Sequence, residues 1–133
     1  MIFTESQLEC HGQKYKIPMK LPSLANRAGR WKGNYFMNKV KCATIRRCLA
    51  NLKITPPCKV IITRIAPRML DTIDNLPMSV KFVIDTVADM LIPGLKPGRA
   101  DGDSRVKFEI QQRKGDVREN ALEIFFQRIL HED

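Results

Sequence analysis

The stretch from Lys59 to Met90 reads KVIITRIAPRMLDTIDNLPMSVKFVIDTVADM and contains the signals of a strand followed by a helix. Its first seven residues, KVIITRI, are rich in β-branched side chains, which favour a buried strand. From Val80 onward the apolar residues repeat with the period of a helix, and Pro77 suits a first helical turn, where its missing N–H costs nothing. The stretch therefore predicts a strand over 59–65 and a helix over Leu76–Met90.

Three further segments precede this stretch. Lys14–Leu21, KYKIPMKL, alternates polar and apolar side chains, which predicts a half-buried strand, and Pro18 indicates a place at the edge of a sheet. Pro22–Gly33 contains the glycine, proline and asparagine residues that are typical of a loop. Tyr35–Leu52 contains neither glycine nor proline, and its apolar residues recur near helical spacing, so it is predicted as an amphipathic helix.

Two shorter segments follow. Arg105–Gln111 alternates apolar and polar residues and predicts a strand, while ENALEIFFQRIL, at 119–130, fits either a strand or a helix. Together the segments predict a single domain over residues 1–133. Its class is α/β (α+β), with one mixed β-sheet and two main flanking helices.

The composition excludes several classes of protein. A length of 133 residues is that of one domain, and 44% hydrophobic and 28% charged residues are ordinary for a globular protein. No apolar run is long enough to span a bilayer, and the N-terminus lacks the features of a secretory signal. No cysteine pair has zinc-ligand spacing, so we expect free thiols in a reducing compartment. These features predict a soluble cytoplasmic protein with no membrane partner and no small-molecule cofactor.

Basic residues are concentrated in the first half of the chain. Residues 1–67 carry 13 Lys or Arg and 2 Asp or Glu, whereas residues 68–133 carry 10 and 12. Lys and Arg side chains gain affinity for a polyanion by releasing its condensed counterions. Nucleic acid is therefore the first-ranked partner. A solubilising basic surface, or one that contacts an anionic membrane, would have the same charge.

Four aspartates follow a long segment that contains no acidic residue. Asp71 and Asp74 lie where the strand leads into the helix, and Asp101 and Asp103 lie just before the next strand. If the two strands pair in one sheet, these clusters are expected to converge near one edge. Mg²⁺ would relieve the repulsion between the carboxylates and could activate a water toward a phosphodiester. On spacing alone, helix capping and turn formation explain these aspartates better than metal binding does.

The run RMLDTIDNLPMSVKFVIDTVADML, followed by DGDSRVKFEIQQRKG, resembles the RusA family of Holliday-junction resolvases, especially its phage-borne members. Those proteins carry an Asp-rich D-x-D-N-L motif that opens a helix, and a further aspartate shortly before a strand. The resemblance covers roughly the second half of the chain. It implies an α/β homodimer that depends on Mg²⁺, with Mn²⁺ as an alternative, and that cuts four-way DNA junctions by paired symmetric nicks.

The resemblance also implies a set of metal ligands. Asp74 matches the second carboxylate of the family motif, and Asn75 follows it as the motif requires. Asp71 matches the first carboxylate, although it lies three residues before Asp74 rather than two. Asp103 is the best match for the third carboxylate, and Asp101 is its competitor.

Basic and aromatic residues supply the candidate DNA contacts. Lys81 resembles the helix lysine of the phage members, which would hold the scissile phosphate, and the alternative is a solvated lysine that pairs with Asp85. Trp31 would stack on an unpaired base or anchor the core. The helix lysines and arginines, Lys41 among them, would contact phosphates or simply be solvated. The DNA-binding candidates are Arg27, Arg30, Trp31, Lys32, Lys39, Arg46, Arg47 and Asn75.

Two functions from different classes remain at this point. The first is a Mg²⁺-dependent endodeoxyribonuclease that resolves Holliday junctions in DNA recombination and repair, in a bacterial or phage-infected cytoplasm. Asp71, Asp74, Asp103 and Lys81 would be its catalytic residues, and an activated water would attack the phosphorus in line. The alternative is a non-catalytic, basic nucleic-acid-binding protein, a degenerate relative of the same family.

Overall fold

Four strands and three helices make up the fold in the computed structural model, which describes residues 13–22, 31–73, 75–94 and 102–128, with the backbone alone at 31–37. The strands lie in the order β1-β4-β2-β3, and β2 pairs parallel with β3 and antiparallel with β4, so the sheet is mixed. The elements are β1 (Gln13–Ile17), α1 (Trp31–Cys48), β2 (Cys58–Ala66), α2 (Asn75–Ser79), α3 (Lys81–Leu91), β3 (Val106–Lys114) and β4 (Ala121–Arg128).

This architecture confirms the predicted fold class and differs from the prediction at element boundaries. β1 is an edge strand, as Pro18 indicated, and it ends before that residue because proline has no N–H for the ladder. α1 begins at Trp31, inside the predicted loop, and the turns that follow Cys48 end it earlier than predicted. The predicted helix at 76–90 is divided at Val80, whose φ of −105° and ψ of 5° depart from helical values.

The C-terminal stretch that fitted two structures is the strand β4. It lies between β1 and β2, where every residue from Leu122 to Ile124 pairs on both sides. This central position explains the choice, because a chain between two strands satisfies its backbone groups only in extended form. No helix of the described residues has both the length and the apolar character that a membrane span needs.

The hydrophobic core lies between the helices and one face of the sheet. On β2 the alternation that sends Val60 and Ile62 into the core also sends Arg64 to the same face. β4 contributes Leu122, Ile124 and Phe126 to this core. The helices contribute Ile45, Val83, Val87 and Leu91, and the turn after α1 contributes Leu49. Arg64 is thus a cation at the end of an apolar row, with 6% of its surface exposed.

The other face of the sheet carries ion pairs that join the two halves of the sequence. Lys59 of β2 lies 2.9 Å from Glu109 of β3. Glu123 of β4 lies 4.0 Å from Lys14 of β1 and 3.4 Å from Arg113 of β3. Folding therefore neutralises part of the basic first half with acidic residues of the second half.

The chain that leaves β2 turns back over the sheet and is held there by two side chains. Arg64 and Gln112 are directly paired between β2 and β3. Arg64 Nη1 donates to the Arg68 carbonyl oxygen at 2.7 Å. Gln112 Nε2 donates to the Leu70 carbonyl oxygen at 2.6 Å, and Gln112 Oε1 accepts the Leu70 N–H at 2.9 Å. These bonds fix the segment that immediately precedes Asp71.

Replacing Gln112 tests this attachment. We expect Gln112→Leu to lower the free energy of unfolding by about 1–3 kcal/mol, because it removes both side-chain partners of the Leu70 peptide groups. Gln111→Leu is the matched control, since Gln111 is exposed and faces the other side of the sheet, and its effect should stay within about 0.5 kcal/mol. Urea denaturation measures both values. Equal losses in the two variants would contradict a special role for Gln112.

Candidate nucleic-acid and metal site

Asp71 lies just after the segment held by Arg64 and Gln112, and its side chain organises the start of α2. Asp71 Oδ1 accepts the Asn75 backbone N–H at 3.3 Å, and Asp71 Oδ2 accepts the Asn75 side-chain amide at 2.6 Å. The Asp71 carbonyl oxygen accepts the Leu76 N–H at 2.9 Å. The capping role that spacing favoured is therefore present. The residue is exposed, so the carboxylate remains accessible from solvent.

Asp103 lies in the turn before β3 and is bound to Arg105. Its Oδ1 accepts the Arg105 backbone N–H and Nε–H, both at 2.9 Å, and its Oδ2 accepts from Nη2 at 2.8 Å. These bonds, with the guanidinium charge beside the carboxylate, lower the pKa of Asp103 to about 2. Asp103 is therefore ionised at neutral pH, and any cation that binds it must share it with Arg105.

The parallel register separates these two aspartates within one chain. Asp103 accepts the Val106 N–H at the start of β3, whereas Leu70, next to Asp71, contacts Gln112 near the end of β3. The strand distance between Val106 and Gln112 is about 20 Å at about 3.3 Å per residue. The predicted pairing of the two strands exists, but it does not bring Asp71 and Asp103 to one edge. In a parallel pair, both strands start at one edge of the sheet and end at the other, and Asp103 precedes β3 while Asp71 follows β2.

The remaining described candidates are distributed over the helices. Lys81 is the first residue of α3, and its Nζ lies 3.0 Å from Asp85 Oδ1, so the i,i+4 pair weighed from the sequence is formed. Lys39, Arg46 and Arg47 are exposed on α1, as a phosphate-contacting face requires. Asn75 is the first residue of α2, and its side-chain amide donates to Asp71, the residue matched to the first carboxylate of the family motif.

Several predicted site residues cannot be compared with the structure. Asp74, Asp101, Arg27 and Arg30 lie outside the described residues, and Trp31 and Lys32 are described only as the first backbone positions of α1. Within the described ranges, no three His, Cys, Asp or Glu side chains are grouped closely enough to hold a metal ion. Of the two predicted metal ligands that the structure describes, Asp71 is exposed, whereas Asp103 is half-buried and bound to Arg105.

Sequence reasoning missed the basic cleft beside Asp71. A cavity of about 440 Å³ opens where β2 ends. Its lining includes Lys20, Arg64, Arg68 and Leu70, the residue whose peptide groups are bound by Gln112. Among the described residues, the lining contains no carboxylate. One signal for it was in the sequence: strict alternation from Val60 puts Arg64 on the core side of a strand, where a charged residue is unusual.

A comparison of the chain with protein-family models and with curated proteins found no match. The resemblance to the RusA family therefore stays a prediction that depends on the motif residues and their spacing.

The Arg105 pair gives a pH-dependent prediction. Because folding holds the pKa of Asp103 below its ordinary value of 3.8, the pair stabilises the fold above that value, and the contribution is lost as the pH falls toward about 2. In a carboxyl ¹³C NMR titration we expect a midpoint near 2 for Asp103. Arg105→Met should raise the midpoint toward the ordinary value. An unchanged midpoint in that variant would show that the guanidinium is not the cause.

Proposed function

We propose that this protein is a Mg²⁺-dependent, structure-selective endodeoxyribonuclease that resolves four-way DNA junctions by paired symmetric nicks. The observation that carries the proposal is the edge of the sheet where β2 ends. There the exposed Asp71 carboxylate follows a segment that lines a cleft with Lys20, Arg64 and Arg68. A carboxylate for a hard cation, next to cations for phosphate, meets the two main needs of phosphodiester hydrolysis.

The residues take the following roles in this proposal. Asp71 and Asp74 hold Mg²⁺ (or Mn²⁺) at the start of α2, and Asn75 orients the Asp71 carboxylate through its amide. The ion supplies charge neutralisation and an activated water. Lys81, one helical element further on, neutralises charge on the scissile phosphate or the leaving oxygen. The products carry 5′-phosphate and 3′-hydroxyl ends, and the setting is recombination or repair in a bacterial or phage-infected cytoplasm.

The third carboxylate comes from a second chain in this proposal. Asp103 belongs to the edge where β3 begins, whereas Asp71 follows the edge where β2 ends. A metal site that uses carboxylates from both edges therefore requires two subunits. A homodimer with a two-fold axis supplies them, and the same axis accounts for two symmetric nicks across a junction.

A nicking assay tests the activity. With Mg²⁺, the protein should cut a synthetic four-way junction symmetrically and leave linear duplex of the same sequence intact, and EDTA should stop the reaction. Asp74→Asn should lower the cleavage rate by roughly 100-fold or more, while junction binding is kept. Loss of a residue that only hydrogen-bonds to a metal ligand already costs up to roughly 100-fold. Asp116→Asn, in an exposed turn, is the control and should cut normally. Loss of both binding and cleavage in Asp74→Asn would point to a folding role.

Subunit mixing tests the shared site. Asp74→Asn and Asp103→Asn homodimers should both be inactive. A mixed dimer should regain one intact site if each site takes Asp74 from one chain and Asp103 from the other. Co-expressed variants carrying different tags provide the mixed dimer, and the expected product is a junction nicked on one strand. If every mixed dimer is inactive, the three carboxylates do not form a site across the two-fold axis.

A non-catalytic nucleic-acid-binding protein is the second candidate. The observation in its favour is that Asp71 and Asp103 both make local structural bonds, a cap and a turn. This function predicts salt-sensitive junction binding with no need for a divalent metal. Tight binding without cleavage, in either Mg²⁺ or Mn²⁺, would decide in its favour.

A further inference from the structure

Arg64 is a buried cation whose hydrogen-bonding capacity is largely unused. Only 6% of its surface is exposed, and its Nε–H is buried with no acceptor. Within the described residues, its one hydrogen bond runs from Nη1 to the Arg68 carbonyl oxygen, and no carboxylate pairs with it. A buried charge without a partner is costly, and an unmade buried hydrogen bond adds to the cost. The loss of hydration also lowers the pKa of Arg64.

The surroundings of Arg64 add positive charge rather than neutralise it. Lys20 and Arg68 line the same cavity of about 440 Å³, together with Asn120 and several apolar residues. Behind Lys20, Lys41 donates to the Lys20 carbonyl oxygen. Burial, followed by the charge of Lys20, lowers the pKa of Lys41. The described chain thus gathers cations here and brings no acidic side chain into the cavity lining.

We propose that this cavity binds a phosphate group, with Arg64 at its base and Lys20 and Arg68 at its sides. The guanidinium fork matches the oxygens of a phosphate, and an anion in the cavity would compensate a charge that the fold leaves unpaired. Three cations around one cavity suit free phosphate or a phosphate monoester, with a charge of about −1.5 to −2, better than a single carboxylate. A DNA phosphodiester has one negative charge, and its two free oxygens match the guanidinium fork. The volume is in the usual range of small-ligand sites.

The phosphate that binds in the cavity belongs either to a DNA backbone or to a small free compound. Leu70 lines the cavity and directly precedes Asp71, so a DNA backbone phosphate bound here would lie next to the candidate metal ligands. DNA as the source rests on the proposed nuclease function. Selectivity for phosphate does not, because it depends on the charges of the cavity alone. Free phosphate or a mononucleotide presents the same chemistry.

The experiment measures binding without catalysis, in EDTA. The probes are inorganic phosphate, a 5′-mononucleotide and a fluorescent four-way junction, with chloride held constant. We expect the Arg64 Nε–H NMR signal to shift on addition of phosphate. Arg64→Met should weaken phosphate and junction binding by about 10-fold or more. Lys107→Met is the matched control, because it removes the same charge from an exposed position of β3 outside the cavity, and it should leave phosphate binding unchanged.

Thermal stability distinguishes an Arg64 that binds a ligand from an Arg64 that only stabilises the fold. If Arg64 is kept for a ligand, the unliganded Arg64→Met protein should lose less stability than Gln112→Leu, because the removal of a buried charge offsets the lost bond to the Arg68 carbonyl oxygen. Should that variant fail to fold, Lys20→Met and Arg68→Met change exposed side chains and take its place, and each should weaken phosphate binding. A junction that binds through this cavity while free phosphate does not would identify DNA as the source.

Two results would overturn the proposal. One is an unchanged affinity for every phosphate probe in Arg64→Met, or in both Lys20→Met and Arg68→Met. The other is an equal loss in the Lys107→Met control, which would show a general charge effect. Because no arm requires cleavage, an inactive protein that binds phosphate at Arg64 would contradict the nuclease proposal and leave the pocket supported.

Discussion

The parallel pairing of β2 with β3 is the constraint on which the rest of the structure depends. Parallel neighbours need a crossover, and the chain from Ala66 to Val106 supplies it through α2 and α3. The crossover leaves from one edge of the sheet and returns at the other. It therefore separates Asp71, which opens α2, from Asp103, which precedes β3, and it determines which chemistry one chain can bring together.

At the edge where β2 ends, a buried charge lies beneath an open cavity. Arg64 continues the apolar row of Val60 and Ile62, and there it helps to hold the returning chain at Arg68. An apolar side chain would fill that position at lower cost, since the guanidinium is buried without a carboxylate. A buried charge that the fold does not need for packing is most simply explained by something that enters from solvent. The open cavity over Arg64 gives that ligand access.

The sequence predicted the regular elements better than their arrangement. Alternation and helical periodicity identified β1, β2, β3 and α1, because they record which face of a strand or helix is buried, but they predicted one helix where α2 and α3 are separate. The stretch containing Phe125 and Phe126 stayed ambiguous, since its strand form depends on the partners β1 and β2, which are distant in sequence. The sequence contained enough information to reject the predicted convergence of Asp71 and Asp103. A strand, a helix and a second strand imply parallel pairing, and parallel pairing puts these residues at opposite edges of the sheet.

The distribution of charge along the sequence differs from its distribution over the folded protein. The first 67 residues are strongly basic, yet Lys14 and Lys59 point to the open sheet face and lie beside acidic residues from the second half. Part of the positive charge of this face is therefore neutralised within the fold, and Lys107 of the same face stays exposed. A separate group of cations, Lys20, Arg64 and Arg68, lines one cavity whose described lining includes no carboxylate. A nucleic acid that binds this protein should accordingly follow the edge of the sheet where β2 ends, which is also the edge that carries Asp71.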